Sequence, residues 1–382
     1  MPIVDIHTHV YPPSYMQSMY LTFPLRSHIL MENPVVLESR STVPYVRSFP
    51  PSNSPRLFVL PSEDPPSTTS TGRPIGPEYY DIAQKIAFMD AHKIDISVIS
   101  LANPWLDFFP SSGASAAAEA LNNDLNATCD RFPGRLFSFG ALPMSASVEE
   151  IVSEIKRLSG MKYMRGVVMG TSGFGKGLDD ERLNGVWAAL EETGQTVFLH
   201  PHYGLPKEVY GPTGGEEYGL VLPLALGFPL ETTIAVSRML LSGVWDRYQG
   251  LSVLLAHSGG TLPFLAGRLE SCIAHDGKLH REGKIANRRT VWDILQKNIL
   301  LDAVVYSEVG LKAAVDAAGA DRVLFGTDHP FFPPLEKNGE NEEWLSVTTN
   351  YKAIKDAFGP GEIEKVEGLL GGNAVKLLRL EV

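Results

Sequence analysis

The sequence predicts an α/β fold, a (β/α)8 TIM-like barrel, and three observations lead to that prediction. Eight short runs rich in apolar and β-branched residues alternate with segments of helical periodicity. Most of the runs are apolar without interruption, as expected of parallel strands covered on both faces. No GxGxxG follows the first run, which argues against the rival open, doubly wound sheet. The predicted strands are Ile3–Ile6, Ile94–Leu101, Arg135–Leu142, Tyr163–Met169, Thr196–Leu199, Leu251–Ala256, Ile299–Ala303 and Arg322–Phe325.

Between these strands lie clear helix signals. Ser147 and Glu150 stand three residues apart, the spacing of a capping box. Gly194 follows the next helical segment, where a C-cap glycine belongs. Each of these two helices carries one apolar stripe. The stripes are Val148, Ile151, Val152, Ile155 and Leu158, and then Leu183, Val186, Trp187 and Leu190.

The long interval between the first two strands predicts an insertion. Residues 11–80 are rich in Pro, Ser and Thr, and Pro65–Pro74 has the composition of a loop. We expect this interval to cap the barrel mouth within one domain of residues 1–382, and Leu57–Leu60 to form a small β element. A barrel of about 250 residues with insertions accounts for such a length.

Composition and charge exclude several classes of protein. The 382 residues are 44% hydrophobic and 20% charged, which is typical of a soluble globular protein. A net charge of −11 makes nucleic acid an unfavourable partner. The sequence shows no secretory signal and no apolar run of about 20 residues, so we expect no membrane association and a cytoplasmic protein. Cys129 and Cys272 are interpreted as buried small hydrophobic residues.

Polar residues at the carboxyl ends of four predicted strands predict a metal site. His7 and His9 follow the first strand, and residues i and i+2 of an extended chain point to the same side. His200 follows the fifth strand and Asp328 the eighth. Barrel enzymes build their sites at this face. Three imidazoles and a carboxylate suit Zn²⁺ or another divalent first-row ion, with a position left open.

Three neighbouring histidines and one aspartate have more than one interpretation. Asp5 either ligates or orients, or is simply structural, and His202, beyond Pro201, is expected to support the site rather than to ligate. His329 is expected beside the site in the same way. His257 either opens a helix with Ser258 as its cap or contacts substrate and carries a proton.

A glycine-rich loop follows the fourth predicted strand. The segment Gly170–Gly175 either cradles an anion through its backbone N–H groups or is an ordinary βα loop.

Taken together, these residues resemble the amidohydrolase superfamily, in the branch related to aminocarboxymuconate-semialdehyde decarboxylase. The resemblance extends through nearly the whole chain to the fungal isoorotate (5-carboxyuracil) decarboxylases. It rests on the segments Val4–Tyr15, Ser97–Trp105, Gly170–Asp180, Phe198–Pro206, Leu254–Cys272 and Phe325–Pro334. The interval Leu21–Ser70 departs from the family pattern, so the placement of Arg73 depends on a divergent segment.

The resemblance implies both a site and a reaction. It implies zinc held by His7, His9, His200 and Asp328. It implies four substrate contacts, which are Arg73, Asn103, His257 and Phe331. The implied reaction is decarboxylation of isoorotate, a pyrimidine carboxylate, to uracil, and in it Asp328 protonates C5. The related enzymes also imply a homodimer.

Two other functions share the same metal ligands. A metal-dependent hydrolase of a C–N or ester bond, with Asp328 as proton shuttle, needs the same side chains. Decarboxylation of another aromatic or unsaturated carboxylate also fits. A binding domain stabilised by structural zinc fits poorly, because such sites are closed and rich in cysteine.

Overall fold

Eight parallel strands stand side by side in chain order and form a nearly closed barrel. The computed structural model describes residues 1–21, 45–49, 54–58, 73–202, 204–334 and 343–381. The strands in this part of the chain are β1 (Val4–Val10), β2 (Tyr45–Phe49), β3 (Ser54–Phe58), β4 (Arg73–Pro74), β5 (Ile96–Leu101), β6 (Leu136–Ala141), β7 (Met164–Gly170), β8 (Thr196–His200), β9 (Val253–Leu255), β10 (Ile299–Asp302) and β11 (Val323–Leu324). The barrel consists of β1 and β5 to β11, and all eight predicted barrel strands are confirmed.

Helices follow the barrel strands, as the alternating pattern predicts. The α-helices in the described residues are α1 (Pro13–Leu21), α2 (Ile82–Ala91), α3 (Ser111–Asp130), α4 (Val148–Ser159), α5 (Asn184–Thr193), α6 (Phe228–Leu241), α7 (Val244–Arg247), α8 (Leu262–His275), α9 (Gly277–Arg281), α10 (Val291–Lys297), α11 (Glu308–Ala318), α12 (Leu345–Ala357), α13 (Ile363–Glu367) and α14 (Asn373–Leu377).

The local helix signals form as predicted. Ser147 Oγ accepts from the backbone N–H of Glu150, whose carboxylate accepts from the backbone N–H of Ser147, so both halves of the capping box are present. Gly194 ends α5 in the left-handed conformation, with φ of 63°. Ile151 and Trp187, on the two predicted stripes, are buried in the core.

The first strand and the segment after β11 close the barrel. The backbone N–H of Ile6 donates to the carbonyl of Phe325 over 3.0 Å, and that of Asp328 donates to His7 over 2.8 Å. β1 therefore continues through His7 and His9 to Val10, past the predicted end at Ile6. Hydrogen bonds from remote segments of the chain extend the strand over residues 7–10. A prediction from local sequence does not include such remote partners.

One cysteine prediction is wrong. Cys129 is buried, as expected, but Cys272 is exposed on α8. The helix turns other residues toward the barrel, among them Ala266 and Ile273. A position in an apolar helix therefore did not determine on which face the cysteine lies.

The insertion is described in part. Strands β2, β3 and β4 form a small antiparallel sheet, in which Leu57 is paired with Arg73. Leu57 and Phe58 of the predicted β element lie in β3, while residues 59–60 and most of the loop Pro65–Pro74 lie outside the described residues. That the insertion caps the barrel mouth stays a prediction.

One helical stretch is long and apolar enough for a membrane span, although the sequence analysis expected no apolar run of that length. Residues Pro223–Leu241 span 19 residues with a mean hydropathy of 1.3, enough to cross a membrane by length and composition alone. Core helices of soluble proteins meet the same criterion. Here Val236, Met239 and Leu240 of this stretch are buried in the barrel core, and Glu231 accepts hydrogen bonds from two loops at the barrel mouth.

Candidate metal and active site

Four side chains from three strand ends meet inside the barrel mouth. His7 and His9 come from β1, His200 from the end of β8, and Asp328 from the segment after β11. One potential ligand atom from each lies within 4.8 Å of all the others, and all four residues are buried. Asp328 Oδ1 is 3.3 Å from His7 Nε2 and 3.5 Å from His9 Nε2. This set has the size and composition of a site for one divalent cation.

Hydrogen bonds at the far ring nitrogens orient the three imidazoles. His7 Nδ1 lies 2.6 Å from Asp302 Oδ2, His9 Nδ1 lies 3.0 Å from Ser100 Oγ, and His200 Nδ1 lies 2.9 Å from its neighbour's carbonyl oxygen. All three Nε2 atoms are buried. Within the described residues that of His200 has no hydrogen-bond partner, and those of His7 and His9 have only the long contacts with Asp328 given above. Buried nitrogens left unsatisfied are costly unless they bind a ligand. The donor set therefore fits a metal ion bound by three Nε2 atoms and a carboxylate.

Burial keeps two of these imidazoles neutral. It lowers the pKa of His9 to about 4, and it lowers the pKa of His200 well below its usual range. The neighbouring histidines lower both values further. A neutral imidazole offers the lone pair that a metal needs. His9 and His200 are thus ready to ligate at neutral pH.

His7 and Asp328 behave as an ion pair in the absence of a cation. Burial disfavours the imidazolium of His7, but the charge of Asp328 and hydrogen bonds to Asp302 and Asp328 outweigh burial and raise its pKa to about 10. Burial likewise disfavours the carboxylate of Asp328, yet the charge of His7 and hydrogen bonds from His257, His7 and His9 lower its pKa well below the usual range. Without a cation, the proton resides on His7.

We therefore expect metal binding to release about one proton at pH 8. A pKa near 10 in the folded protein, above the ordinary 6.5, means that the proton on His7 stabilises the metal-free fold fully below pH 6.5. That stabilisation is lost as the pH rises through 10. A cation displaces this proton, so metal affinity rises with pH. Calorimetric titration in buffers of different ionisation enthalpy measures the released proton, and a binding heat independent of buffer would contradict the expectation.

Asp302 is the chief residue at this site that the sequence analysis missed. Besides His7, its carboxylate accepts from the backbone N–H groups of His257, Ser258 and Val304. The available signal was an apolar run, Ile299–Leu301, that ends in a carboxylate at the carboxyl end of a barrel strand. Asp302 thus holds both the His7 imidazole and the turn that carries His257.

His257 faces the carboxylate of Asp328. Its Nε2 is 3.7 Å from Asp328 Oδ2, and the side chain is partly exposed. The backbone φ of 54° at His257 and 52° at Ser258 places both in the left-handed region, a strain that is common at active sites. Ser258 does not cap the next helix, because its hydroxyl donates to the carbonyl of Asp302. The geometry favours the interpretation of His257 as a substrate contact and proton carrier.

Asn103 and two aromatic rings contact residues at or next to the candidate ligands. Asn103 Nδ2 donates to the carbonyl oxygen of His202 over 2.8 Å, which fixes the orientation of the amide. The ring of Phe331 lies 5.6 Å from that of His9. Phe228, which no sequence signal marked, has its ring 6.4 Å from that of His257.

The structure places the predicted contact Arg73 only in part. Its backbone lies in β4, while its side chain is outside what the structure describes. The substrate contact expected of Arg73 therefore stays a prediction.

The contacts of Asp5 and His202 show how each of them is placed relative to the candidate ligands. Asp5 accepts from the hydroxyl and the N–H of Thr327 and lies outside the group of four, so it orients the segment before Asp328. His202 Nε2 lies 2.9 Å from Asp107 Oδ2, and His202 is likewise outside the group.

The glycine-rich loop is bonded internally rather than open to an anion. In Gly170–Gly175 and just beyond it, the N–H groups of Gly175 and Gly177 donate to the carbonyl of Ser172. Those two N–H groups are therefore not available to cradle an anion, and the geometry favours an ordinary βα loop.

Comparison with known proteins agrees with the family resemblance of the sequence motifs. The amidohydrolase family model matches residues 4–380. The 2-amino-3-carboxymuconate-6-semialdehyde decarboxylase of Dictyostelium discoideum is 31% identical over 310 residues, which cover 81% of this chain and 79% of that protein.

Two solved structures show the same fold. The crystal structure of Metarhizium anisopliae IDCase in apo form has a TM-score of 0.90 and 52% identity, covering 100% of this chain and 98% of that one. The 5-carboxyvanillate decarboxylase of Novosphingobium aromaticivorans, complexed with manganese, has a TM-score of 0.73 and 21% identity, covering 99% and 96%. With a family match over nearly its full length and these relatives, the chain belongs to the amidohydrolase family.

Proposed function

We propose that this protein is a metal-dependent carboxy-lyase that converts isoorotate (5-carboxyuracil) to uracil and CO2 without oxidation. The observation that carries the proposal is its 52% identity, over the whole chain, to IDCase, an isoorotate decarboxylase. A relative at 31% identity is also a decarboxylase. The buried group of three histidines and Asp328 also supports the proposal, because its ligand atoms lie close enough together to hold the cation that this chemistry needs.

The proposed cofactor is Zn²⁺, held by His7, His9, His200 and Asp328. When bound, the cation would offset the charge of the substrate carboxylate and orient it together with the adjacent ring oxygen. The same ligand types accept other divalent ions, and the 5-carboxyvanillate relative is complexed with manganese. Elemental analysis of the purified protein, followed by reconstitution of the metal-free protein with Zn²⁺ or Mn²⁺, decides between the two ions.

The substrate itself requires a proton donor near C5. Direct loss of CO2 leaves an electron pair in an sp² orbital at C5, which the ring π system does not stabilise. Protonation of C5 first makes that carbon sp³, using the electron pair of the C5–C6 double bond. The bond to the carboxylate then breaks, and its electron pair restores the double bond as CO2 leaves.

Asp328 and His257 are the proposed catalytic pair. Asp328 delivers the proton to C5, and His257 Nε2, 3.7 Å from Asp328 Oδ2, returns a proton to that carboxylate. The low pKa of Asp328 makes its acid form a strong donor but a rare one. A neighbouring proton carrier is therefore needed for turnover, and His257, which is partly exposed, connects Asp328 to solvent.

The remaining proposed contacts bind the pyrimidine ring and the carboxylate of the substrate. Because the amide nitrogen of Asn103 is bound to His202, the amide oxygen is the atom left to accept from a ring N–H. Phe331 and Phe228 offer aromatic faces for stacking. Arg73 is the proposed bidentate partner of the carboxylate, in agreement with the family resemblance.

Asn103→Ala is expected to lower kcat/KM for isoorotate by about 10- to 100-fold. The loss corresponds to one hydrogen bond to the substrate together with the carbonyl of His202 left without its donor. Metal content should not change, since Asn103 is not among the four ligands. Steady-state kinetics and elemental analysis check this result, with Asn287→Ala, an exposed asparagine, as the matched control. Equal kcat/KM in the two variants would remove Asn103 from the site.

Incubation with isoorotate tests the function directly. We expect loss of the isoorotate ultraviolet band and stoichiometric formation of uracil, which chromatography identifies. Parallel reactions contain 2,6-dihydroxybenzoate, 5-carboxyvanillate, and ester and cyclic amide substrates. Turnover of an aromatic acid but not of isoorotate would contradict the proposed substrate. Hydrolysis without decarboxylation would contradict the proposed reaction class.

We also propose a homodimer, in agreement with the family resemblance. The faces of α6 and α8 expose large apolar side chains, of which Phe264 is 83% exposed and Ile234 is 50% exposed. Apolar side chains on neighbouring outer helices are typical of an interface between subunits. Sedimentation velocity measures the mass of the particle, and a monomer at micromolar concentration would contradict the proposal. The cytoplasmic location stays a prediction.

A further inference from the structure

A buried lysine lies beside the candidate metal centre, and the proposed reaction does not use it. Lys85, on α2, has only 1% of its surface exposed. Its Nζ lies 2.5 Å from Thr8 Oγ1 and 2.5 Å from His329 Nδ1. Both partners are polar and neither is a carboxylate, so the amino group is buried without a direct counter-ion at these two contacts.

The two partners of Lys85 belong to the segments that carry three of the four candidate ligands. Thr8 stands between His7 and His9, and His329 directly follows Asp328. The Thr8 hydroxyl also lies 3.2 Å from the His329 carbonyl oxygen, to which it donates, and an isolated β-bridge joins the two residues. Lys85 Nζ therefore contacts the point where these two segments meet.

The surroundings hold His329 in a fixed place. Its ring stacks on Phe88 with 3.7 Å between centroids and lies 4.6 Å from the ring of Trp344. When Lys85 is protonated its ammonium only donates hydrogen bonds, and His329 Nδ1 then accepts from it. A movement of Lys85 would consequently move either the strand that carries His7 and His9 or the segment that carries Asp328.

The burial of this polar amino group costs free energy that a methionine at the same place would not. Burial lowers the pKa of Lys85 to about 7, and the charge of Asp5 opposes that effect. An apolar residue of similar length would fill the same volume between α2 and β1. The fold tolerates the cost, which indicates that the hydrogen bonds of Lys85 serve the nearby centre.

We propose that Lys85 is a positioning residue of the metal centre. Its amino group joins Thr8 to His329 and thereby fixes the distance between the His7 and His9 ligands and the Asp328 carboxylate. The inference rests on the proposed metal centre but not on the identity of the substrate. Supporting residues of this kind typically contribute 10- to 100-fold to metal affinity or activity.

The test compares Lys85→Met with Lys93→Met, which changes an exposed lysine just after the same helix. Metal affinity is measured by chelator competition with Zn²⁺, and kinetics are measured at saturating metal. For Lys85→Met we expect a metal Kd about 10- to 100-fold higher, a kcat lowered about tenfold or more, and a KM changed less than about threefold. Lys93→Met should match the wild type in all three.

The same measurements separate positioning from a merely structural role. If Lys85 only filled space, Lys85→Met would keep the wild-type metal Kd and kcat, and that result would overturn the proposal. Thr8→Val removes the hydroxyl but keeps the shape, so it tests the same contact even if Lys85→Met does not fold. Thr8→Val should raise the metal Kd, and Thr8→Ser should restore it. Because the metal Kd needs no substrate, it remains informative if isoorotate proves not to be the substrate.

Discussion

Replacing His7 and His9 together by alanine is expected to remove bound metal and to abolish decarboxylation. Two of the three imidazoles that offer a free Nε2 are lost, and His200 with Asp328 alone forms too small a ligand set for tight binding. A metal ion supplies several kcal/mol of charge stabilisation. We therefore expect kcat/KM to fall by at least about a thousandfold.

The control for this double variant replaces two exposed histidines, His275 and His280. His275→Ala/His280→Ala should keep metal and activity, which excludes a general effect of losing two imidazoles. Elemental analysis after dialysis against a weak chelator gives the metal content, and circular dichroism gives the integrity of the fold. Full metal occupancy in His7→Ala/His9→Ala would refute the ligand assignment.

Asp328→Asn is expected to lower kcat by about 10²- to 10⁴-fold. An amide does not donate a proton at accessible pH, while its oxygen still occupies the place of the carboxylate. Three histidines remain, so part of the metal should be retained and substrate should still bind. The variant should therefore lower kcat more than it raises KM. Asp321→Asn, on an exposed aspartate just before β11, is the matched control.

Isotope effects on metal-replete enzyme distinguish the order of the steps. If proton transfer to C5 limits the rate, the solvent deuterium effect is large and the ¹³C effect at the carboxyl carbon is small. Deuterium at C5 of uracil does not discriminate, because every route ends with a proton there. An Asp328→Asn variant that keeps metal and turns over at the wild-type rate would remove Asp328 from the mechanism. His257, 3.7 Å away, would then be the proton donor.

The barrel strands could be predicted because each is a local pattern. A parallel strand buried on both faces is apolar throughout, and runs such as Val197–Leu199 show this without reference to the rest of the chain. Helix ends were also local, since the capping box at Ser147 and the glycine at 194 act within one turn. The face on which Cys272 lies was not local, because it depends on which side of α8 packs on the barrel.

The metal ligands could be predicted because strand ends converge. The carboxyl ends of parallel barrel strands meet at one mouth, so the sequence alone predicts that His7, His9, His200 and Asp328 lie together. Asp302 also stands at a strand end, but its contacts, like those of Lys85, could not be predicted from that position. Asp302 contacts a residue 295 positions away in the chain, and Lys85 contacts one 244 positions away. No local pattern encodes which remote residue each of them contacts.

The sequence by itself thus determined the barrel, the candidate ligands and the family, because these follow from local periodicity, strand ends and motif. Only the tertiary structure decided the protonation and the orientation of the site. Burial makes His9 and His200 neutral, and two carboxylates from remote segments place a proton on His7. The carbonyl of His202 fixes the orientation of the Asn103 amide. These properties depend on burial and on distances between remote segments, which exist only once the barrel has closed.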